Sequence, residues 1–157
     1  MEVVLLNPKF AHNVGGTLRA CSIWGVEKLT WTGDRVLDPD LWPKEARLPR
    51  EERMKLYREV KLQTVPRMTD LQSRGTPVAV ELRDQAENLF EFEHPEDAVY
   101  VFGPEDGSID KGTLHACHRF VRIPSRACLN LAAAINVVLY DRAQKLHVKA
   151  QAAETTS

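Results

Sequence analysis

Short, unbroken apolar runs alternate along the chain with stretches in which apolar residues recur every three or four positions, a pattern that predicts strands alternating with helices. Val3-Val4-Leu5-Leu6 ends in Asn7-Pro8, as a buried strand running into a turn would. From Asn13 to Gly25 the period lengthens: Val14, Leu18 and Cys21 fall on one helical face, with Asn13 placed to cap it. Lys28–Trp31 reads as the next strand, and residues 33–49, with Pro39, Pro43 and Pro49, as an irregular excursion. A helix over Arg50–Tyr57, an extended stretch over Val60–Val65 and a helix opened by Pro66 and closed before Gly75 are predicted next. Pro77–Glu81 and Ala98–Gly103 are strand candidates, the second nearly continuous in apolar character, as parallel strands buried on both faces are. Asp110–Cys117 reads as a short helix and Phe120–Ile123 as a last strand. The final helix, Leu129 to about Val148, is apolar on most faces and is expected to be covered on more than one side. The whole predicts an α/β fold, a mostly parallel sheet flanked by helices, in one domain over 1–150 with a frayed tail over 151–157.

Composition narrows the class. The chain has 157 residues, 43% hydrophobic and 27% charged, which is ordinary for a soluble single domain and enough for one core. No run approaches the ~18 apolar residues of a membrane span, and MEVVLLNPKF has no basic leader region or cleavage site, so neither membrane insertion nor secretion is expected. Cys21, Cys117 and Cys128 cannot all pair and form no CxxC, so a reducing cytoplasm is the expected setting. The formal net charge of −1 hides a segregation. Between Lys44 and Arg67 eight basic residues face four acidic ones, net +4, and between Glu81 and Asp97 seven acidic residues face one basic, net −6. Such polarity can steer a polyanion to one side of the protein, or simply mark two solvated segments.

Three segments carry candidate chemistry, each where a strand gives way to a helix, the place where open parallel sheets bind ligands. In His12-Asn13-Val14-Gly15-Gly16-Thr17-Leu18-Arg19, two glycines open a helix at a cost of roughly 1 kcal/mol each. They allow either close approach of a phosphate, with Arg19 near, or tight packing on a neighbouring strand. In Phe102-Gly103-Pro104-Glu105-Asp106-Gly107, a glycine at a strand end lets something lie against backbone, and Glu105 can hold a donor of a ligand or of its own loop. In Ile123-Pro124-Ser125-Arg126-Ala127-Cys128-Leu129-Asn130, a strand runs into an alanine-rich helix whose first turn contains Asn130, able to cap it or to touch a ligand.

The combination and order of these segments, N-x-G-x-x-x-R, F-G-P-E-x-G and I-P…C-L-N-L-A, resemble the three motifs of the SpoU/TrmH family of SPOUT RNA 2′-O-ribose methyltransferases, over Val3 to about Arg142. The resemblance implies a C-terminal deep trefoil knot, S-adenosylmethionine bound in it, and a homodimer. It implies catalytic roles for Asn13, Arg19, Glu105 and Asn130, with Gly15 and Pro124 completing the matched motifs. It also implies cofactor contacts from the loops at Gly103, Ile123, Cys128 and Leu129, and by position from Glu81. Cys128 stands where many members have Ser, and the loop Ser125-Arg126-Ala127 is shorter than usual. Methyl transfer to a ribose hydroxyl needs no metal and no covalent intermediate, but the oxygen must be oriented or its proton polarised. Arg, with a pKa above roughly 12, suits alkoxide stabilisation better than proton abstraction.

Two rival chemistries lack their patterns. The spacing of His115, Cys117 and His118 matches no zinc motif, so no metal is expected, and no G-x-G-x-x-G follows a strand. The motifs begin almost at Met1, so RNA is expected to be gripped by the catalytic domain and its partner subunit, through Arg50, Arg53 and Arg58 of the +4 segment. Minimal relatives of this length resemble the enzymes that methylate the tRNA wobble ribose, which makes tRNA the expected substrate. Ribosomal RNA, or a knotted RNA-binding protein without activity, is the alternative.

Overall fold

Every residue of the two most apolar runs is buried, because β1 (Glu2–Leu5) and β6 (Ala98–Phe102) lie side by side at the centre of a seven-stranded sheet. The computed structural model describes residues 1–36 and 59–155. Beyond the two central strands it contains α1 (Ala11–Ile23), β2 (Lys28–Thr32), β3 (Lys61–Val65), β4 (Thr76–Val80), β5 (Glu87–Asn88), α2 (Lys111–Ala116), β7 (Arg119–Arg122) and α3 (Leu131–Thr155). The strand order is β3-β2-β1-β6-β4-β7-β5, and every pair is parallel.

The strand period of two divides the core. Val3, Leu5, Tyr100 and Phe102 point to the face covered by α1 and α3, joining Leu18, Ile135, Val138 and Leu139. Val4, Val99 and Val101 point to the other, with Leu71, Ile109 and Cys117. Glu2 extends β1 one residue before the apolar run. Its buried carboxylate accepts from Thr30 Oγ1 at 2.6 Å and Arg74 Nη1 at 2.8 Å, so the charge is compensated.

Close packing explains one of the paired glycines. A Cβ on Gly16 would stand 2.9 Å from Ala132 Cβ, so glycine brings α1 against α3, a helix rather than the neighbouring strand expected. Gly25, at φ +70°, ends α1 in a Schellman turn in which Val26 N donates to Cys21 O at 2.9 Å. Gly75 is more constrained: its φ is +146°, and a Cβ there would sit 2.2 Å from the carbonyl oxygen of Asp97, where β4 and β6 begin. Gly75→Ala should cost about 3 kcal/mol, read as a lower urea midpoint at unchanged m-value.

Several expectations are corrected. Asn13 lies within α1 rather than capping it; Phe10 holds the N-cap position and makes no side-chain cap bond. The helix expected after Pro66 is a single 3-10 turn, Leu71–Ser73, because Ser73 N and Oγ both donate to Asp70 O and tighten the segment. The final helix continues through Thr155, so residues 151–155 are helical where fraying was expected. It is covered within the chain along one stripe, Leu131, Ile135, Val138, Leu139 and Arg142, while Val137, Tyr140, Leu146 and Val148 remain exposed. The predicted helix over 50–57 lies outside the described residues.

The acidic segment is not merely solvated. Arg119 pairs with Glu87 through Nε at 2.9 Å and Nη2 at 2.5 Å, and Lys145 donates to the carbonyls of Leu89 at 2.5 Å and Phe92 at 3.0 Å. The buried side chain of His94 bridges Tyr100 Oη at 2.5 Å and Asp141 Oδ2 at 2.7 Å. Burial lowers its pKa despite the Asp141 bond, and with one ring N–H and one acceptor the neutral ring satisfies both partners. The Arg119 bonds tie this segment to β7, and the His94 and Lys145 bonds tie it to α3, which in turn positions Asn130 at its start.

Candidate functional site

A cavity of about 530 Å³ opens at the C-terminal ends of β1, β4, β6 and β7. Parallel strands all release their loops on this side, and the chain reverses direction across the sheet between β1 and β6, which leaves a crevice there. The segment after β1 contributes Phe10, His12 and Asn13, and the end of β4 contributes Val80, Glu81 and Leu82. The loop after β6 supplies Gly103, Pro104, Glu105 and Ile109, and the loop after β7 supplies Ile123, Ser125, Cys128, Leu129 and Asn130.

The polar core of the site is a directional chain of side chains. Asn13 Nδ2 donates to Glu105 Oε1 at 2.5 Å, and Asn130 Nδ2 donates to Asn13 Oδ1 at 2.9 Å. Asn130 Oδ1 caps α3, accepting from Ala132 N at 3.0 Å and Ala133 N at 3.3 Å. Lys9 N donates to Glu105 Oε2 at 2.7 Å. Partial burial opposes the charge of Glu105, yet donation from Asn13 and from the backbone N–H groups of Lys9, Glu105 and Phe10 holds its carboxyl below the usual range. Ionised, it only accepts, which fixes the amide orientation of Asn13 and through it that of Asn130. One carboxylate thus joins the loop after β6, the start of α1 and the start of α3.

The cavity wall is shaped by close approach. A Cβ on Gly103 would meet Ile109 N at 3.2 Å and Ile109 Cγ1 at 3.3 Å, so a side chain there would push the loop. Glu81 Oε2 is buried and has no hydrogen-bond partner among the described residues, although Glu81 lines the cavity. A carboxylate oxygen withheld from water in this way is suited to a donor on a bound ligand. Beside the mouth, the Arg35 guanidinium, at 2.8 and 3.1 Å, and Lys9 hold the exposed Asp106 carboxyl down at about 2.

The structure brings Asn13, Glu105, Asn130, Glu81, Gly103, Ile123, Cys128 and Leu129 to this one cavity. Arg19 is elsewhere: it lies on the exposed side of α1 and is not part of the wall. Arg50, Arg53 and Arg58 lie outside the described residues. No group of three or more His, Cys, Asp or Glu side chains that could hold a metal occurs among the described residues. His115 Nδ1 bonds the Lys111 carbonyl, and Cys117 is buried, its thiol pushed up to about 11. Sequence reasoning placed His12 at the start of the first candidate segment without giving it a role and missed Phe10; an aromatic beside the polar Asn7-Pro8 turn was the available signal. Leu82 and Ile109 carried no local signal.

The model of the SpoU rRNA Methylase family matches residues 1–140. No curated protein matches the chain. Among solved structures, the A. aeolicus TrmH/SpoU tRNA modifying enzyme is similar, at TM-score 0.73 and 21% identity, over 94% of this chain and 76% of that one. A protein solved for insight into 2-OH methylation of C/U34 on tRNA matches at TM-score 0.73 and 21% identity, over 93% of this chain and 95% of that one. The SpoU methyltransferase AviRb from Streptomyces viridochromogenes, solved in complex with AdoMet, matches at TM-score 0.71 and 17% identity, over 94% of this chain and 61% of that one. At these identities the likeness to the solved structures is one of fold.

Proposed function

The chain belongs to the SpoU rRNA Methylase family, and from that premise we propose that it transfers a methyl group from S-adenosylmethionine to a ribose 2′-hydroxyl of RNA. The observation that carries this reading is the convergence of three separate segments on one cavity, joined there by the Glu105–Asn13–Asn130 chain. The residues fit the cofactor. The volume suits a ligand of its size, the bare backbone of Gly103 and the apolar Ile109, Ile123 and Leu129 form the wall, and Glu81 Oε2 is an acceptor in need of a donor. When bound, S-adenosylmethionine supplies an electrophilic methyl group on a sulfonium. Asn13 and Asn130 would hold the cavity loops in place, and Cys128 and Leu129 would offer loop backbone to the cofactor.

Arg19 stabilises the negative charge that develops on the ribose oxygen, a task that suits a permanently charged guanidinium. Because it lies outside its own cavity wall, we assign it to the cavity of a partner subunit in a homodimer. The exposed Val137, Tyr140, Leu146 and Val148 of α3 support such a dimer, since a twofold neighbour would cover the stripes that the sheet leaves open. The reading includes the family's C-terminal trefoil knot and a cytoplasmic setting. It takes tRNA, at the wobble ribose, as the substrate, supported by the C/U34-associated neighbour, whose fold this chain matches over 95% of that chain. Arg50, Arg53 and Arg58 are assigned to RNA phosphates, and their joint replacement by alanine is the test of that assignment through the salt dependence of binding.

Calorimetric titration with S-adenosylmethionine should show one site per chain. Gly103→Ala, which forces Ile109 outward, should weaken binding about tenfold, equal to ~1.4 kcal/mol. Nucleoside mass spectrometry of tRNA from a deletion strain should lack one ribose methylation that the wild-type gene restores. Loss in ribosomal RNA instead would move the substrate, and cofactor binding with no transfer to any RNA would leave an RNA-binding protein.

A further inference from the structure

At the rim of the cavity two aromatic rings stand stacked and open to solvent. The rings of Phe10 and His12 lie 5.3 Å apart between centroids and within 18° of parallel, and both line the cavity. Phe10 is 43% exposed and His12 is exposed as well. Phe10 occupies the N-cap position of α1, where Ser, Thr, Asp or Asn would satisfy a backbone N–H, and its ring makes no such bond. The chain therefore gives up a cap and leaves a large ring in water at the mouth of its site, three residues before the buried Asn13 and its bond to Glu105. The ammonium of Lys9 lies 5.3 Å from the Phe10 ring centroid, which places positive charge beside the stack.

We propose that the Phe10–His12 pair is a stacking platform for the base of the nucleotide whose ribose enters the cavity. The inference rests on the reading of RNA as the substrate. An unpaired RNA base splayed out of its loop finds its best partner in an aromatic face, and a ring pair held by the start of a helix offers one without further ordering. Every base has such a face, so the platform sets the position of the ribose rather than the identity of the base. Phe10 and His12 are positioning residues: they act on where the hydroxyl lies, not on its proton.

The test uses the full chain, S-adenosylmethionine and a tRNA transcript. Phe10→Ala and His12→Ala should each raise KM for tRNA about 5- to 150-fold. Activity at saturating tRNA should fall as well, because a ribose held less well presents its hydroxyl in line less often, while cofactor affinity should be unchanged. The slope of log KM against log salt should also be unchanged, since no phosphate contact is removed. Phe10→Trp should restore KM, and tRNA should quench its emission beyond the quenching of Trp24, Trp31 and Trp42 in the wild type. Unchanged KM in both alanine variants, or parallel loss of cofactor affinity, overturns the platform. A wild type that methylates tRNA while the Phe10→Trp signal ignores it overturns the platform too and leaves the methyl-transfer reading standing. Quenching of Phe10→Trp by tRNA with no methyl transfer by the wild type supports the platform and overturns the enzyme.

Discussion

Arg19→Ala should lower kcat about 10²- to 10³-fold, the loss typical of removing one donor that faces a developing oxyanion. Affinity for S-adenosylmethionine should hold, since the role assigned to Arg19 is on the ribose oxygen and not on the cofactor. The placement leads to a sharper result. If Arg19 of one subunit serves the cavity of the other, an Arg19→Ala chain and an Asn130→Ala chain can complement each other. A mixed dimer then pairs one defective Arg19 with one defective cavity and leaves the second composite site intact. Equal co-expression should restore about a quarter of wild-type activity, because half the dimers are mixed and each has one working site of two. Each variant alone should stay inactive. If co-expression restores nothing while both variants still form dimers, Arg19 serves its own subunit and must reach its cavity by a movement of α1.

Glu105→Ala should abolish methyl transfer and destabilise the fold by about 1–3 kcal/mol, because it removes one acceptor from three elements at once. Asn13, 2% exposed, would keep Nδ2 without a partner, Asn13 Oδ1 would no longer be held toward Asn130, and Lys9 N would lose its acceptor. Glu105→Gln separates charge from shape. A neutral amide can still accept, but it presents a donor to one of two N–H groups, so activity should fall strongly while stability falls less. The pH dependence has a definite sign. The carboxyl of Glu105 lies below its ordinary value of 4.5 in the folded chain. Its contribution is therefore complete above that value and disappears as pH falls through the folded one. Urea midpoints on an acid series should drop less steeply for Glu105→Gln than for the wild type. Equal acid limbs would mean that Glu105 is not held ionised by Asn13. Asp70, Asp106 and Asp110 are also lowered, so the difference between the two proteins carries the result.

The central strands were legible because burial on both faces leaves an unbroken apolar signature, as Val3–Leu6 and Ala98–Phe102 show. Asp110 was legible as a helix start because its side chain caps locally, accepting from Thr113 N at 3.0 Å. The 3-10 turn at Leu71–Ser73 was misread as a helix because Pro66 and the apolar spacing do not report the Ser73–Asp70 and Arg74–Glu2 bonds that decide it. The two-residue strand Glu87–Asn88 was missed because its pairing with β7 leaves no period to detect.

By itself the sequence determined the α/β class, the three segments that line the cavity and, through the motif resemblance, the family. These depend on local periods and on the order of residues along the chain, which a sequence states directly. Tertiary structure alone decided that Asn13, Glu105 and Asn130 form one hydrogen-bonded chain across separations of 92 and 117 residues. It also decided that Gly16 serves a helix contact, that Glu81 has a carboxylate oxygen without a hydrogen-bond partner among the described residues, and that Arg19 lies exposed and outside the cavity wall. Each of these depends on which elements meet in space. Contacts between distant segments leave no period behind, and a residue's partner across the sheet is set by the path of the backbone rather than by its neighbours in the chain.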